Sequence, residues 1–169
     1  CLYLAAHRWT RSWFFVGRQM SFGVGIIGCG LIGQKRTKAL GEGRLIACAD
    51  INEGCARILA GKSETKVFSD WRGLLALPEL EIVIIATLHD SLAEITLAAI
   101  EAGKHVLVEK PAARNPEELE PVMAAAERRG VKVHVGFNHR YHRAFRKARE
   151  LFEAGALGEL MFIRARYGH

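Results

Sequence analysis

Short apolar runs that alternate with helical stretches are the feature of this sequence that most limits its fold. The runs IVIIAT and HVLVE are apolar almost throughout and lack the strict polar alternation of a strand with one face in water. Parallel strands that are covered by helices on both faces have this pattern. The candidate strands are residues 22–27, 45–50, 82–87, 105–109 and 131–137.

Helix candidates occupy the gaps between these strands, at 32–40, 53–60, 92–102 and 116–129. Asn115 before Pro116 is the pattern of a capping residue followed by a first-turn proline, and Gly103 and Gly130 stand where helix C-terminal glycines occur. Pro121 predicts a kink or a late start in the last helix. The alternation of strands and helices predicts an α/β fold with a doubly wound parallel sheet, the Rossmann architecture, over residues 20–138.

A different pattern begins after residue 138. Tyr141, Phe145, Ala148 and Phe152 follow one another at helical spacing, and residues 160–167 then alternate with period two. A lone strand cannot bury its apolar face. We therefore expect residues 139–169 to be the incomplete start of a second domain with an antiparallel sheet, the alternative being that the strand joins the edge of the first sheet.

Residues 1–19 have a composition of their own. Three arginines and no acidic residue precede Met20, and the segment lacks the continuous apolar stretch of a secretory signal. We expect a non-native or disordered arm here, with Met20 as the natural start, and a short native arm as the alternative. The four cysteines form no CxxC pair, which favours a cytoplasmic location, and Cys29 and Cys48 are interpreted as small buried residues.

A glycine-rich loop, GCGLIG, joins the first strand to the first helix. In such a loop Gly28 permits the tight turn, Gly30 lets the backbone approach a diphosphate, and Gly33 allows close packing of helix on strand. A diphosphate would then meet the free N–H groups at the helix N-terminus, which adds Leu31 and Ile32 to the cofactor-binding candidates. Glycine-rich turns also occur without a ligand, so the prediction depends on the strand before the loop and the helix after it.

Asp50 ends the second strand, 22 residues after Gly28. This is the separation expected of the acid that binds an adenosine ribose. A carboxylate there repels a 2′-phosphate, so NAD is favoured as the cofactor, while Arg57 keeps NADP possible. The alternative is that Asp50 caps the following helix.

The run Glu109-Lys110-Pro111, the segment VGFNHRYH and the glycine loop together resemble the family of glucose–fructose oxidoreductase, inositol dehydrogenase and MocA, from residue 22 to residue 169. The resemblance implies an NAD(P)-dependent enzyme that moves a hydride between the nicotinamide and the hydroxyl or carbonyl of a sugar, cyclitol or related polyol. It implies that Lys110 is catalytic and contacts both substrate and cofactor, that Glu109 and Pro111 hold it in place, and that Glu109 is also one of the cofactor-binding residues. It further implies that residues 139–169 begin an incomplete α+β domain for substrate binding and oligomerisation. The Lys110–Pro111 peptide bond is a candidate for the cis form.

The loop after the strand at 82–87 matches this family imperfectly. The resemblance implies cofactor contacts from Thr87 and from His89, which would replace an imidazole that the family carries three residues later. Alternatively, His89 caps the next helix together with Asp90 and Ser91.

The resemblance also implies that Asn138 faces the cofactor and that Arg140 and Tyr141 bind the substrate. The remaining acid–base residues of the family would lie beyond His169. We therefore expect this chain to bind nucleotide without turnover on its own, and the full-length protein to form a homo-oligomer.

The charge distribution limits the other functions. Lys and Arg number 24 against 18 Asp and Glu, and eight basic residues without an acid occupy residues 128–149. No nucleic-acid reading module accompanies them, so a solvated helix face is favoured over a nucleic-acid site. No membrane span and no metal site are expected. Two alternative functions stay open: a nucleotide-binding module without turnover, and an NAD-dependent glycosidase of the same fold.

Overall fold

The computed structural model describes residues 21–166, which form one parallel sheet of six strands in the order β3-β2-β1-β4-β5-β6. All five strand pairings are parallel. The order reverses between β1 and β4, as in a doubly wound fold. The predicted fold class is therefore confirmed. The strands are β1 (Gly23–Ile27), β2 (Arg44–Ala49), β3 (Lys66–Phe68), β4 (Ile82–Ile85), β5 (His105–Val108) and β6 (Val133–Val135).

Between residues 21 and 166, six α-helices pack around the sheet or follow it. Val83 and Ile85 of β4 join a core cluster with residues of α3, α4 and α5, whereas Ile84 belongs to a second cluster with β1. Burial on both faces explains why the strand at β4 is apolar throughout. The helices are α1 (Leu31–Thr37), α2 (Glu53–Ala60), α3 (Trp71–Leu75), α4 (Leu92–Glu101), α5 (Leu119–Arg129) and α6 (Arg143–Glu153).

Strand β3 and helix α3 were not predicted from the sequence. They have three and five residues, so neither is long enough to display a strand or helix period. Strand β3 is also an edge strand that pairs with β2 alone. Its sequence, KVF, therefore lacks the continuous apolar character of the central strands.

The start of α5 follows the cap pattern in the sequence. The Asn115 side chain accepts a hydrogen bond from the Glu118 backbone N at 3.1 Å, across a 3-10 turn at Pro116–Glu118. The α-helix begins only at Leu119, so Pro121 lies in its first turn, where a backbone N–H has no partner within the helix. The late start is confirmed, and Gly130 ends the helix in the left-handed conformation.

The predicted strand at 160–167 is wrong for residues 160–166, which form no strand and are exposed, while Tyr167 lies outside the described residues. Within residues 21–166 no strand pairs with the outer edge of β6, so the alternative position at the sheet edge is wrong too. A strand needs a hydrogen-bonding neighbour, and no residue between 21 and 166 supplies one. Helix α6 does form, but Phe145 and Phe152 on its apolar stripe are exposed. The domain boundary at 139 stays a prediction, and residues 1–19 lie outside the description.

Helix length in the described part bears on membrane crossing. The longest helices, α5 and α6, have 11 residues each. A membrane span requires ~20 apolar residues. No helix between residues 21 and 166 is long and apolar enough to cross a bilayer.

Candidate cofactor-binding site

A cleft of about 600 Å³ opens at the carboxyl ends of the central strands. Its walls come from the glycine loop after β1, from Asp50 and Ile51 after β2, and from Ala86–Leu88, Asp90 and Ser91 after β4. Because β1 and β4 are neighbours on either side of the reversal in strand order, the cleft lies at the topological switch point. Ligands of open α/β sheets bind at this point.

Two glycines of the loop are required by the fold itself. Gly28 has a φ of +91°, and a Cβ there would lie 2.5 Å from the carbonyl oxygen of Ala86. A Cβ on Gly33 would lie 2.1 Å from the carbonyl oxygen of Gly28. These contacts account for the predicted roles in the tight turn and in close packing of α1 on β1.

We expect Gly33→Ala to lower the free energy of unfolding by about 2–4 kcal/mol, because the new methyl group can avoid the Gly28 carbonyl only if α1 moves away from the sheet. Urea denaturation followed by circular dichroism measures this change. Gly41→Ala is the matched control, because a Cβ there meets no described atom within 4 Å and the added methyl group causes no clash. The φ of +59° at Gly41 carries a backbone cost of about 1 kcal/mol, so a loss of stability of only this size is expected. Equal stability of Gly33→Ala and wild type would contradict the packing role.

Gly30 differs from the other two glycines. It is the N-cap of α1 with φ −69° and ψ −163°, an extended conformation open to any residue. A Cβ there would meet no atom of the described chain within 4 Å. Neither backbone conformation nor internal packing therefore requires glycine at this position. The side-chain-free position borders the cleft and leaves room for a group that approaches the backbone closely.

Asp50 is held at the cleft by two backbone groups. Its Oδ2 accepts a hydrogen bond from the Cys29 N at 2.7 Å, and its Oδ1 accepts one from the Asn52 N at 2.8 Å. Each carboxylate oxygen keeps acceptor capacity toward the cleft. The alternative role of Asp50 as a helix cap is wrong, because Asn52 is the N-cap of α2 and accepts from the Gly54 N.

The cysteines behind the loop are structural. Cys29 and Cys48 are both fully buried, as interpreted from the sequence. Hydrogen bonding to Cys48, reinforced by burial, raises the pKa of the Cys29 thiol far above its ordinary value. A thiol that stays protonated is a poor nucleophile, so Cys29 serves packing. Among residues 21–166, no cluster of three or more His, Cys, Asp or Glu side chains is suited to hold a metal ion.

The loop after β4 forms the opposite wall of the cleft. Thr87, Leu88 and Ser91 line it, and the Ser91 hydroxyl donates to Thr87 Oγ1 at 2.9 Å. His89 is exposed on the same loop but does not belong to the wall. Ser91, rather than His89, occupies the N-cap position of α4. A cofactor contact from His89 stays a prediction.

Lys110 follows β5 in a tight turn. The Lys110–Pro111 peptide bond is cis, as the sequence suggested. The next residue, Ala112, is buried and has a φ of 77°, a left-handed conformation that is uncommon for a residue with a side chain. Its backbone N donates to the Glu109 carbonyl at 3.0 Å, which closes the turn. Strained backbone of this kind occurs preferentially at functional sites.

Arg36 of α1 connects this turn to the phosphate loop, and the sequence analysis missed it. Its Nε donates to Glu109 Oε1 at 2.6 Å, and its Nη2 donates to Asn138 Oδ1 at 2.9 Å. Nη2 also forms an ion pair with the Glu109 carboxylate. The sequence feature that could have indicated this role is a basic residue three positions after Gly33, which places Arg36 on the helix face that packs toward the sheet.

Arg140 and Tyr141 lie in the 3-10 turn Asn138–Tyr141, outside the cleft wall. The Arg140 guanidinium lies 5.9 Å from the centre of the Tyr141 ring, and the Tyr141 hydroxyl approaches His134 Nε2 at 3.4 Å. The structure therefore brings Gly28, Gly30 and Asp50 together in one cleft and keeps these two residues apart from it. Their contact with substrate stays a prediction.

The switch-point cleft, the side-chain-free Gly30 and the fixed Asp50 carboxylate define a dinucleotide-binding Rossmann domain. The chain belongs to the GFO_IDH_MocA oxidoreductase family with an NAD-binding Rossmann fold, whose family model matches residues 22–137. This result confirms the family resemblance noted in the sequence.

Individual relatives point in the same direction. The chain is 35% identical to the inositol 2-dehydrogenase of Gluconacetobacter diazotrophicus over 153 aligned residues. The alignment covers 86% of this chain and 45% of that protein. A crystal structure of an NAD binding oxidoreductase from Klebsiella pneumoniae superposes with a TM-score of 0.76 at 32% identity, over 83% of this chain and 40% of that one. A levoglucosan dehydrogenase in complex with NADH and levoglucosan gives a TM-score of 0.76 at 32% identity, over 82% and 41%. The chain thus spans less than half the length of these relatives.

Proposed function

We propose that this chain is the NAD-binding part of an oxidoreductase that acts on the CH–OH group of a sugar, cyclitol or related polyol. The observation that carries the proposal is Gly30, a side-chain-free position at the switch-point cleft for which neither packing nor backbone conformation gives a reason. Membership of the family supports the cofactor, and similarity to an inositol 2-dehydrogenase and a levoglucosan dehydrogenase supports the substrate class.

The residues of the cleft fit the diphosphate and the adenosine part of NAD. The first backbone N–H groups of α1, at Leu31 and Ile32, have no acceptor within the helix and suit the diphosphate. Asp50 suits the adenosine ribose hydroxyls as a hydrogen-bond acceptor. Ile51 and Leu88 are large apolar residues, 95% and 77% exposed, on opposite walls of the cleft. Apolar side chains in this arrangement suit the two faces of an adenine ring.

The nicotinamide ring, when bound, supplies the acceptor for a hydride. The chain's own contribution to the reaction comes from Lys110. Its amine accepts the proton of the substrate hydroxyl while the carbonyl forms, and Glu109 holds the turn that carries Lys110. Proton transfer by a positioned side chain contributes typically about 10²–10⁴-fold to a rate.

A nucleotide-binding module without turnover is the second candidate. The observation that favours it is the position of Lys110, Arg140 and Tyr141 outside the cleft wall. In this case NADH would bind to the cleft, but no hydroxyl compound would be oxidised.

One experiment separates the candidates. The full-length protein is incubated with NAD and with inositols, levoglucosan, other polyols and glycosides, and both the absorbance of reduced nicotinamide and the release of free sugar are followed. Substrate-dependent reduction supports the oxidoreductase. If NADH binds but no compound reduces NAD, the chain is a nucleotide-binding module without turnover. Release of free sugar from a glycoside without net formation of NADH indicates the glycosidase.

Asp50 is expected to make the chain prefer NAD to NADP by about 100-fold or more, because its carboxylate attracts the ribose hydroxyls and repels a 2′-phosphate. Asp50→Asn keeps the size and one acceptor but removes the charge. We expect it to weaken NAD binding and to narrow the preference to about 10-fold or less. Calorimetric titration with both cofactors measures the ratio.

Glu53→Gln is the control for the Asp50 variant. Glu53 lies in the first turn of α2, is exposed, and is absent from the cleft wall. Removal of its charge should leave the ratio of the two affinities unchanged. An Asp50→Asn variant with the wild-type preference would contradict the role of the carboxylate.

A further inference from the structure

We propose that Arg36 is a positioning residue for Lys110, and that it acts by engaging the Glu109 carboxylate and so keeping the neighbouring lysine amine free. The inference deepens the proposed function and rests on it, because it concerns the same reaction site. Arg36 reaches the site from α1, the helix whose N-terminus borders the cofactor cleft.

The contacts of Arg36 join three separate parts of the chain. The guanidinium binds the Glu109 carboxylate through Nε and Nη2, and Nη2 also donates to Asn138. Glu109 precedes Lys110 directly, and Asn138 opens the 3-10 turn after β6. One side chain therefore fixes the end of β5 and the start of the turn after β6 relative to the phosphate-binding helix.

Gly136 is a second observation that points to the same cluster. A Cβ on Gly136 would lie 3.0 Å from Glu109 Oε2 and 3.1 Å from Arg36 Nη2. The Gly136 backbone cannot retreat easily, because its N donates to the Val108 carbonyl at 2.8 Å. A glycine at this position thus leaves the space that the Arg36–Glu109 pair occupies.

Because the Glu109 carboxylate is buried, its ion pair with Arg36 affects the neighbouring Lys110. Glu109 is 8% exposed, and a buried carboxylate without a counter-ion is strongly unfavourable. The nearest cation along the chain is Lys110 itself. Because Arg36 satisfies Glu109, Lys110 forms no ion pair among residues 21–166 and its amine stays available for a substrate hydroxyl. Without Arg36, the freed carboxylate would bind the Lys110 ammonium.

The position of Arg36 also predicts which kinetic constants change. Arg36 is absent from the cleft wall, so its loss should leave cofactor binding nearly intact. A lysine held by Glu109 is less able to take the substrate proton. We therefore expect Arg36→Met to lower kcat of the full-length enzyme by about 10–100-fold and to change KM for NAD by less than about 3-fold.

The decisive test measures the reactivity of Lys110 and needs no turnover. Wild type and variants react briefly with trinitrobenzenesulfonate at one fixed pH, and mass spectrometry of peptides quantifies the labelled fraction of Lys110. Only the unprotonated amine is a nucleophile, and an ion pair with a carboxylate favours the protonated form, so Arg36→Met should reduce labelling about 3-fold or more. The double variant Arg36→Met/Glu109→Gln should restore it, because the orphaned carboxylate is gone, and Arg36→Lys should retain most of it.

Lys35→Met is the matched control, because Lys35 precedes Arg36 on α1 and is exposed. It should label as wild type does. Unchanged labelling of Lys110 in a folded Arg36→Met variant would overturn the proposal, as would a double variant that labels no better than the single one. If Arg36→Met does not fold, Arg36→Gln replaces it in both the single and the double variant, with the same expected loss and recovery of labelling. Failure of the wild type to reduce NAD would contradict the proposed function and leave this readout in place.

Discussion

Lys110→Ala is expected to lower kcat of the full-length enzyme by about 10²–10⁴-fold, since it removes the group that accepts the substrate proton. Cofactor affinity should change by less than about 3-fold, because Lys110 does not belong to the wall of the cleft. Steady-state kinetics with NAD and a polyol substrate measures the first effect, and calorimetric titration with NADH measures the second. Lys110→Arg should not recover the rate, because a guanidinium stays protonated and cannot accept a proton.

Lys62→Ala is the control for the loss of a positive charge. Lys62 is exposed in the loop after α2 and is not part of the cleft wall. Its loss should leave kcat unchanged. Full activity of Lys110→Ala would exclude the assigned role, whereas a parallel loss of NADH binding would make Lys110 a cofactor-holding residue instead.

Gly30→Val is expected to weaken NADH binding by about 100-fold or more, because a branched side chain would occupy the space through which a diphosphate reaches the backbone. The fold should tolerate the substitution, since a Cβ at Gly30 meets no described atom within 4 Å. Calorimetric titration gives the affinity, and thermal denaturation gives the melting temperature.

The contrast with Gly33→Ala makes this prediction specific. Gly33→Ala should lower the melting temperature, because its methyl group meets backbone, whereas Gly30→Val should lower affinity at an unchanged melting temperature. If Gly30→Val binds NADH with the wild-type affinity, the diphosphate does not approach the backbone at Gly30, and this prediction is wrong. A large fall in its melting temperature would show that glycine serves the fold there.

The central sheet could be predicted because its strands are buried on both faces. The apolar runs of β4 and β5 have the length of a buried strand and are too short for a typical helix. The glycine loop and Asp50 could be recognised because they are separated by a short, characteristic spacing along the chain. Strand β3 could not be predicted, since three residues at a sheet edge carry no periodicity. The error at 160–166 has another cause. Alternation predicts a strand, but a strand forms only where a neighbour offers hydrogen bonds.

The Arg36–Glu109–Asn138 cluster could not be predicted for a different reason. Its members lie 73 and 102 residues apart in the sequence, counted from Arg36. A spacing rule cannot join residues on three elements whose contact depends on the strand order. Lys110 could be selected from the sequence because the tripeptide that contains it resembles a family motif. Arg36, which binds the neighbouring Glu109, could be identified only from the three-dimensional structure.

Titration of the wild-type chain with NADH in a calorimeter tests the central claim most directly. The side-chain-free Gly30 and the fixed Asp50 carboxylate predict saturable binding at a single site, with a dissociation constant of about 1–100 μM, and a rise in melting temperature with ligand. A cooperatively folded protein that gives no binding heat and an unchanged melting temperature at millimolar NADH would contradict it.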